Sequence, residues 1–287
     1  MQTSIEQAMA LVVVGNRVLR GELDPDPRRL CAYSNGLLGR EHRPTFVEPV
    51  AKSGSFRQSP YATSSAGWLR RLRAEGVKAL ALRHGARRAS AQAAMEPPAQ
   101  VRSAFAEGAE DWWIEAWRGD SRDAWLPRWR LGRARRGEGR AQRWRIVYTR
   151  IPLAPEKPPR SGPEEIEALR AALLAHLPEI GEFAFRRRLE SFGECFEAAW
   201  ERLQRPIPDP SAFTSPTEIE SLLPEDAVRL LKAARIAWVF GGMHSWNDLG
   251  FAGEAGERYE ALSARLHALL TAAITAAVNA SLRQAPL

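Results

Sequence analysis

Polar and apolar positions alternate along the last two of three strand-like segments in residues 111 to 153, and apolar positions recur every three or four residues beyond residue 163. A strand has a side-chain period of two and a helix one of 3.6, so the chain reads as a strand-bearing stretch followed by a helical one. Three strands are predicted as a meander, within DWWIEAW, DAWLPRWRL and QRWRIVYTRIPL. In the second, Trp125, Trp129 and Leu131 share one parity and Arg128 and Arg130 the other. In the third, Trp144, Ile146 and Tyr148 oppose Arg143 and Arg145. Pairing these strands gathers arginines on one face and aromatic and aliphatic residues on the other. Pro127 has no amide hydrogen for a ladder, which predicts an edge or bulged strand there.

Upstream, ALVVV, Gly15-Asn16 and RVLR read as two short strands around a turn dipeptide. Gly15 lacks the further glycines of a dinucleotide- or phosphate-binding loop, so this run predicts no nucleotide fold. Ser64 and Ser65 are placed to cap a helix in AGWLRRLRAEG, with Trp68, Leu69 and Leu72 opposite Arg70, Arg71 and Arg73 and with Gly76 ending it. VKALALR follows as a strand.

The proline-rich APEKPPRSGP, residues 154–163, is the expected linker between a mixed domain over residues 1–153 and a helical domain over residues 164–287. Beyond it, PEEIEALRAALLAHL has proline and acids in its first turn, as a helix start prefers. A second helix is expected from about Glu179 to Leu203, burying Phe185, Leu189, Phe192, Phe196, Ala199 and Leu203. Ser215-Pro216-Thr217-Glu218 has the form of a capping box. Pro224-Glu225-Asp226 opens a helix burying Ala227, Leu230, Leu231, Ala234 and Trp238, with Gly241 and Gly242 as its stop. A terminal helix is expected from about Glu254 to Leu282. The predicted fold class is therefore α+β: a mixed N-terminal half with an antiparallel β-meander and one or two helices, then an all-α, bundle-like C-terminal half.

Composition adds a charge question. The 287 residues carry a formal net charge of +7, which invites a phosphate-rich partner. Only Lys52, Lys78, Lys157 and Lys232 among the 41 basic residues are lysines, and arginine and alanine enrichment of this kind is also what a GC-rich bacterial genome produces. Cys31 and Cys195 form no CxxC pair, as expected of thiols in a reducing cytoplasm. The N-terminus lacks the basic start and long apolar core of a secretory signal. No run reaches the roughly 18 uncharged apolar residues of a membrane helix, and TAAITAAVNASL comes nearest.

Two stretches carry candidate chemistry. The first is the pair of arginine-bearing strands, where Arg128, Arg130, Arg143 and Arg145 form one face and Arg133, Arg135, Arg136 and Arg140 belong to the connecting loop. Guanidinium groups so arrayed can grip backbone phosphates. The competing explanation is a solvated arginine face on an ordinary sheet. The second is GGMHSWNDLGF, residues 241–251. His244 as base, Asp248 orienting it and Ser245 as nucleophile would make a hydrolytic site, but such groups normally come from separate elements. The structural alternative is a corner built by Gly241, Gly242, Trp246, Asn247, Asp248 and Phe251. His42, His84, His176 and His267 show no metal-binding spacing, so neither metal nor cofactor is expected. The expected function is a non-enzymatic binding or adaptor protein, contacting a protein or nucleic-acid partner through the basic, aromatic-bearing surface. The alternative is a hydrolase with a cleft near His244 and Asp248 between the two halves.

Overall fold

The computed structural model of the protein describes residues 3–34, 37–38, 44–52, 55–85, 112–132, 143–159, 161–205, 219–241 and 244–283. The N-terminal half contains helices α1 (Thr3–Leu19), α2 (Pro27–Tyr33) and α3 (Ser65–Ala74). Its strands are β1 (Thr45–Lys52), β2 (Ser55–Ala62), β3 (Ala79–His84), β4 (Trp112–Arg118), β5 (Ser121–Gly132) and β6 (Arg143–Leu153). The C-terminal half contains α4 (Pro163–Arg186), α5 (Glu190–Gln204), α6 (Glu225–Ile236) and α7 (Glu254–Asn279). Short 3-10 turns lie at Ile219–Leu222, Trp246–Asp248 and Ala280–Leu282. The class is α+β.

The six strands form one sheet in the order β2-β1-β6-β5-β4-β3. Every neighbouring pair is antiparallel except β1 and β6, which run parallel where Thr45–Val47 face Val147–Thr149. α1 and α3 cover one face. There Phe46 stacks on Trp68 with ring centroids 4.6 Å apart, and Trp125 meets Trp68 edge-on at 5.5 Å. Such offset and edge-on geometries suit the quadrupoles of the rings.

α1 stands where a hairpin was expected. Ala8 through Val14 are buried without interruption, a pattern shared by a strand covered on both faces and a helix covered all round. The helical form fits because α1 is enclosed, touching β3, β4 and α3 on the sheet side and α7 on the other. Gly15 and Asn16 then have helix roles instead of turn roles. A Cβ at Gly15 would stand 2.5 Å from Leu80 Cδ1, so glycine lets the helix approach the sheet. Asn16 reaches across to the backbone of Leu80, accepting from its N–H at 2.8 Å and donating to its carbonyl at 2.9 Å.

The expected helix from Glu179 to Leu203 is also revised. α4 continues through Pro178 to Arg186, because Leu173, Leu177, Ile180 and Ala184 keep one buried face across the proline. The chain breaks at Arg187–Leu189 instead. Leu189 N–H bonds the Ala184 carbonyl and Arg188 N–H the Phe185 carbonyl, both at 3.0 Å, which is the Schellman closure of a helix. Arg188 takes the left-handed position, φ 58°, usually given to glycine. Phe185, expected in the buried stripe, is 43% exposed.

α6 ends at Ile236 with its cap at Ala237, four residues before Gly241, so the glycines do not stop it. Trp238 and Phe240 turn inward instead to meet His267 on α7. Ser215–Glu218 lie outside the described residues. The segment Glu254–Leu282 has the length and hydropathy of a membrane-crossing helix, and 61% of its most apolar window is buried within the protein. α7 spends that surface on α4, α6, β3 and α1.

Candidate functional site

Strands β5 and β6 pair over their whole length, from Arg122↔Leu153 to Gly132↔Arg143. Their neighbours stop short. The β4 ladder ends at Ile114↔Trp125, and β1 joins β6 only from Val147 onward. Among the described residues, β5 and β6 therefore continue as a two-stranded ribbon past both neighbours. Pro127 falls just beyond the last β4 pair, so β5, interior by strand order, is locally an edge where its amide hydrogen is missing.

Arg130 lies directly opposite Arg145, and Arg128 opposite Val147, on the face away from Trp125, Trp129 and Tyr148. All three arginines are exposed. Cross-strand Cβ atoms stand about 5 Å apart, so the pairing of Arg130 with Arg145 sets two like charges side by side. None of the three side chains forms an ion pair or hydrogen bond with a described residue. The ribbon segments LPRWRLG and RWRIVYT contain no acidic residue. Arg143 pairs by backbone with Gly132, while Arg133, Arg135, Arg136 and Arg140 lie outside the described residues.

Four other arginines of the sheet, Arg83, Arg118, Arg122 and Arg150, are neutralised, whereas Arg57 on β2 is exposed and has no ion pair among the described residues. Arg118 and Arg150 both reach Asp123, at 2.8 and 2.9 Å, and both also meet Glu75, at 3.3 Å. Arg71 links Glu75 to Glu48, each at 3.1 Å. On the opposite face, Arg83 and Arg122 converge on buried Glu115 at 3.1 Å, and Arg122 also pairs with Glu156. Buried carboxylates require partners, and these arginines supply them. The phenol of Tyr61, beside this network, is held above its ordinary pKa by burial and by the Glu75 carboxylate. Arg128, Arg130 and Arg145 have no such carboxylate partner among the described residues.

The corner at residues 244–251 is occupied by its own backbone. Ser245 N–H bonds the Asp248 carboxylate at 3.2 Å, while the Ser245 side chain accepts from the Asp248 N–H, forming a capping box. The Ser245 hydroxyl also donates to the Gly241 carbonyl at 3.1 Å. His244 is exposed, with φ 64°. Trp246 is fully buried: its indole N–H donates to Ser263 Oγ at 2.7 Å, and its carbonyl accepts from the Tyr259 hydroxyl at 2.6 Å. Phe251 packs edge-on to Phe183 at 5.4 Å. Gly242 lies outside the described residues. The serine hydroxyl and the aspartate thus serve the fold of the turn, and neither is paired with the imidazole of His244.

His84 and His267 approach each other with ring centroids 5.8 Å apart, among Trp112, Trp238 and Phe240. Among the described residues, no group of three or more histidine, cysteine or carboxylate side chains is placed to hold a metal ion. His42 lies outside them. Sequence reasoning missed a groove between α4 and α5, because it placed Phe185 in the core. A signal was present in α5, where glutamates recur at the helical spacing of its apolar residues. No protein-family model, curated protein or solved structure matches the chain.

Proposed function

We propose that the protein is a non-enzymatic binding protein whose β5–β6 ribbon engages the phosphate backbone of a nucleic acid. The observation that carries this reading is the set of exposed arginines Arg128, Arg130 and Arg145 on one face of a two-stranded extension whose segments 126–132 and 143–149 contain no acidic residue. Like charges opposed across a pair of strands cost stability, and a polyanion laid along that face removes the cost. A two-stranded ribbon also has dimensions that a DNA major groove admits. Trp125, Trp129 and Tyr148 face the core, so phosphate contact and not base stacking is the expected mode. Unpaired Cys31 and Cys195 support a reducing, cytoplasmic setting.

Fluorescence anisotropy with labelled duplex DNA, titrated at rising salt, tests the proposal. Binding should weaken linearly in log–log form, and replacing the three arginines together by alanine should lower the salt slope by up to about 2.7, at about 0.9 per phosphate contact. Binding that ignores salt, or that survives the triple replacement, overturns it. An acidic protein as the true partner would appear as equal competition by polyglutamate and duplex.

A further inference from the structure

We propose a second interaction surface, independent of the ribbon: the groove between α4 and α5 docks a basic amphipathic helix of a protein partner. The groove encloses about 410 Å³. Leu177, Gly181 and Phe196 form its floor, and Phe185 and Trp200 stand at its sides. Gly193 makes room for the Phe185 ring to lie against α5, since a Cβ there would stand 2.5 Å from Phe185 Cε1. An exposed aromatic ring over an apolar floor is the kind of anchor pocket that interfaces use.

The rim selects the charge of the occupant. Glu190, Glu194, Glu197 and Glu201 lie four, three and four residues apart, a single exposed stripe down α5 beside the apolar positions Gly193, Phe196 and Trp200. Glu197 lines the groove from that stripe and Glu182 from α4. Arg186, also at the rim, is bound at 2.5 Å to Glu182, and Arg205, beyond the end of α5, is bound at 2.8 Å to Glu201. Glu190, Glu194 and Glu197 have no such cation among the described residues. In a chain of net charge +7 the α5 side of the groove is acidic, while exposed Arg186, Arg187 and Arg188 lie at the end of α4. An apolar floor flanked by carboxylates matches a helix carrying apolar anchors at spacings of three and four with lysine or arginine beside them. A second copy of this chain fits poorly, because a two-fold contact through the groove would set the same glutamate stripes against each other.

The test uses the full-length protein and a fluorescein-labelled helical peptide of leucine and lysine, its leucines spaced three and four apart. The control peptide has glutamate in place of lysine. The lysine peptide should bind and the glutamate peptide should not. Phe185→Ser should weaken lysine-peptide binding by roughly tenfold. Glu194→Lys with Glu197→Lys, both exposed and remote from the core, should weaken it similarly and admit the glutamate peptide, while the circular dichroism spectrum stays unchanged. Equal binding of both peptides, no binding, or binding indifferent to these substitutions overturns the proposal. So does concentration-dependent dimerisation abolished by Phe185→Ser, which would assign the groove to a second copy. Because the ribbon plays no part, loss of DNA binding and loss of peptide binding report on separate surfaces.

Discussion

Asn16 on α1 and Asn279 on α7 hold the same strand edge in the same way. Asn16 accepts from Leu80 N–H at 2.8 Å and donates to the Leu80 carbonyl at 2.9 Å. Asn279 accepts from Leu82 N–H at 2.8 Å and donates to the Leu82 carbonyl at 3.0 Å. Alternate residues of an edge strand turn both backbone groups outward, and two carboxamides here take the place of a further strand. Both sites are buried, so the groups cannot turn to water instead. Asn279→Ala should cost about 1–3 kcal/mol for each backbone group left without a partner, and Asn16→Ala a similar amount. Urea denaturation followed by circular dichroism measures it. A loss below about 0.5 kcal/mol for either variant would show the pairing to be dispensable.

Gly15→Ala sets two opposing effects against each other. Alanine gains about 1 kcal/mol of helix propensity over glycine. The new methyl would lie 2.5 Å from Leu80 Cδ1 and 3.0 Å from Leu69 Cδ2, both on fully buried side chains. Overpacking of this kind costs about 1–3 kcal/mol, so the net change should be destabilising. A midpoint of urea unfolding at or above that of the parent would contradict the close approach of α1 to the sheet.

Much of the fold was legible where a pattern had one meaning. α3 follows from a serine cap, a one-sided apolar stripe and Gly76, and β5 and β6 follow from alternation. α1 was not legible, because an unbroken apolar run has no period and because Asn16, a turn former in isolation, earns its helical position through a strand 64 residues away. β1 and β2 escaped notice, each interrupted by a proline, Pro49 and Pro60. The arginine face was readable from parity. Its projection beyond the sheet was not, since the length over which neighbours pair is fixed by the tertiary structure.

The ribbon separates function from stability. Arg130→Glu places opposite charges across the strands where two guanidinium groups now face each other, so stability should rise by about 0.2–1 kcal/mol, with the low end expected for exposed side chains. Duplex DNA binding should fall in the same variant. Parallel thermal melts and anisotropy titrations check the pair of outcomes. A variant that binds as tightly as the parent removes Arg130 from the interface.

Arg188 closes α4 in a conformation that costs a side-chain-bearing residue roughly 1–2 kcal/mol relative to glycine. Arg188→Gly should therefore stabilise the protein by about 1 kcal/mol, part of the relief being offset by the greater freedom of glycine in the unfolded chain. Differential scanning calorimetry would register a higher Tm. A lower one would mean that the arginine contributes contacts outweighing its backbone.

His176 should make stability depend on pH. Its ring is fully buried, and burial holds it below its ordinary value of 6.5, despite the hydrogen bond its Nε2 makes to the Leu262 carbonyl at 3.1 Å. Because a carbonyl only accepts, Nε2 carries the proton of the neutral ring. The folded state binds a proton less readily than the unfolded one, so stability is full above pH 6.5 and falls as pH drops below it toward the folded value. His176→Gln should flatten that slope. An unchanged slope would assign it to other groups.

The edge of β3 also sets an order of events. Asn16 can reach Leu80 early, but Asn279 follows Leu82 by 197 residues and Ser281 meets Asn16 across 265. As the chain emerges from the ribosome, the sheet can assemble with one side of Leu82 still open to any other unpaired strand. Docking of α7 is then the step that shuts this template, so slowed synthesis or a weakened α7 should surface as aggregation during production before it appears as a fault in the finished fold.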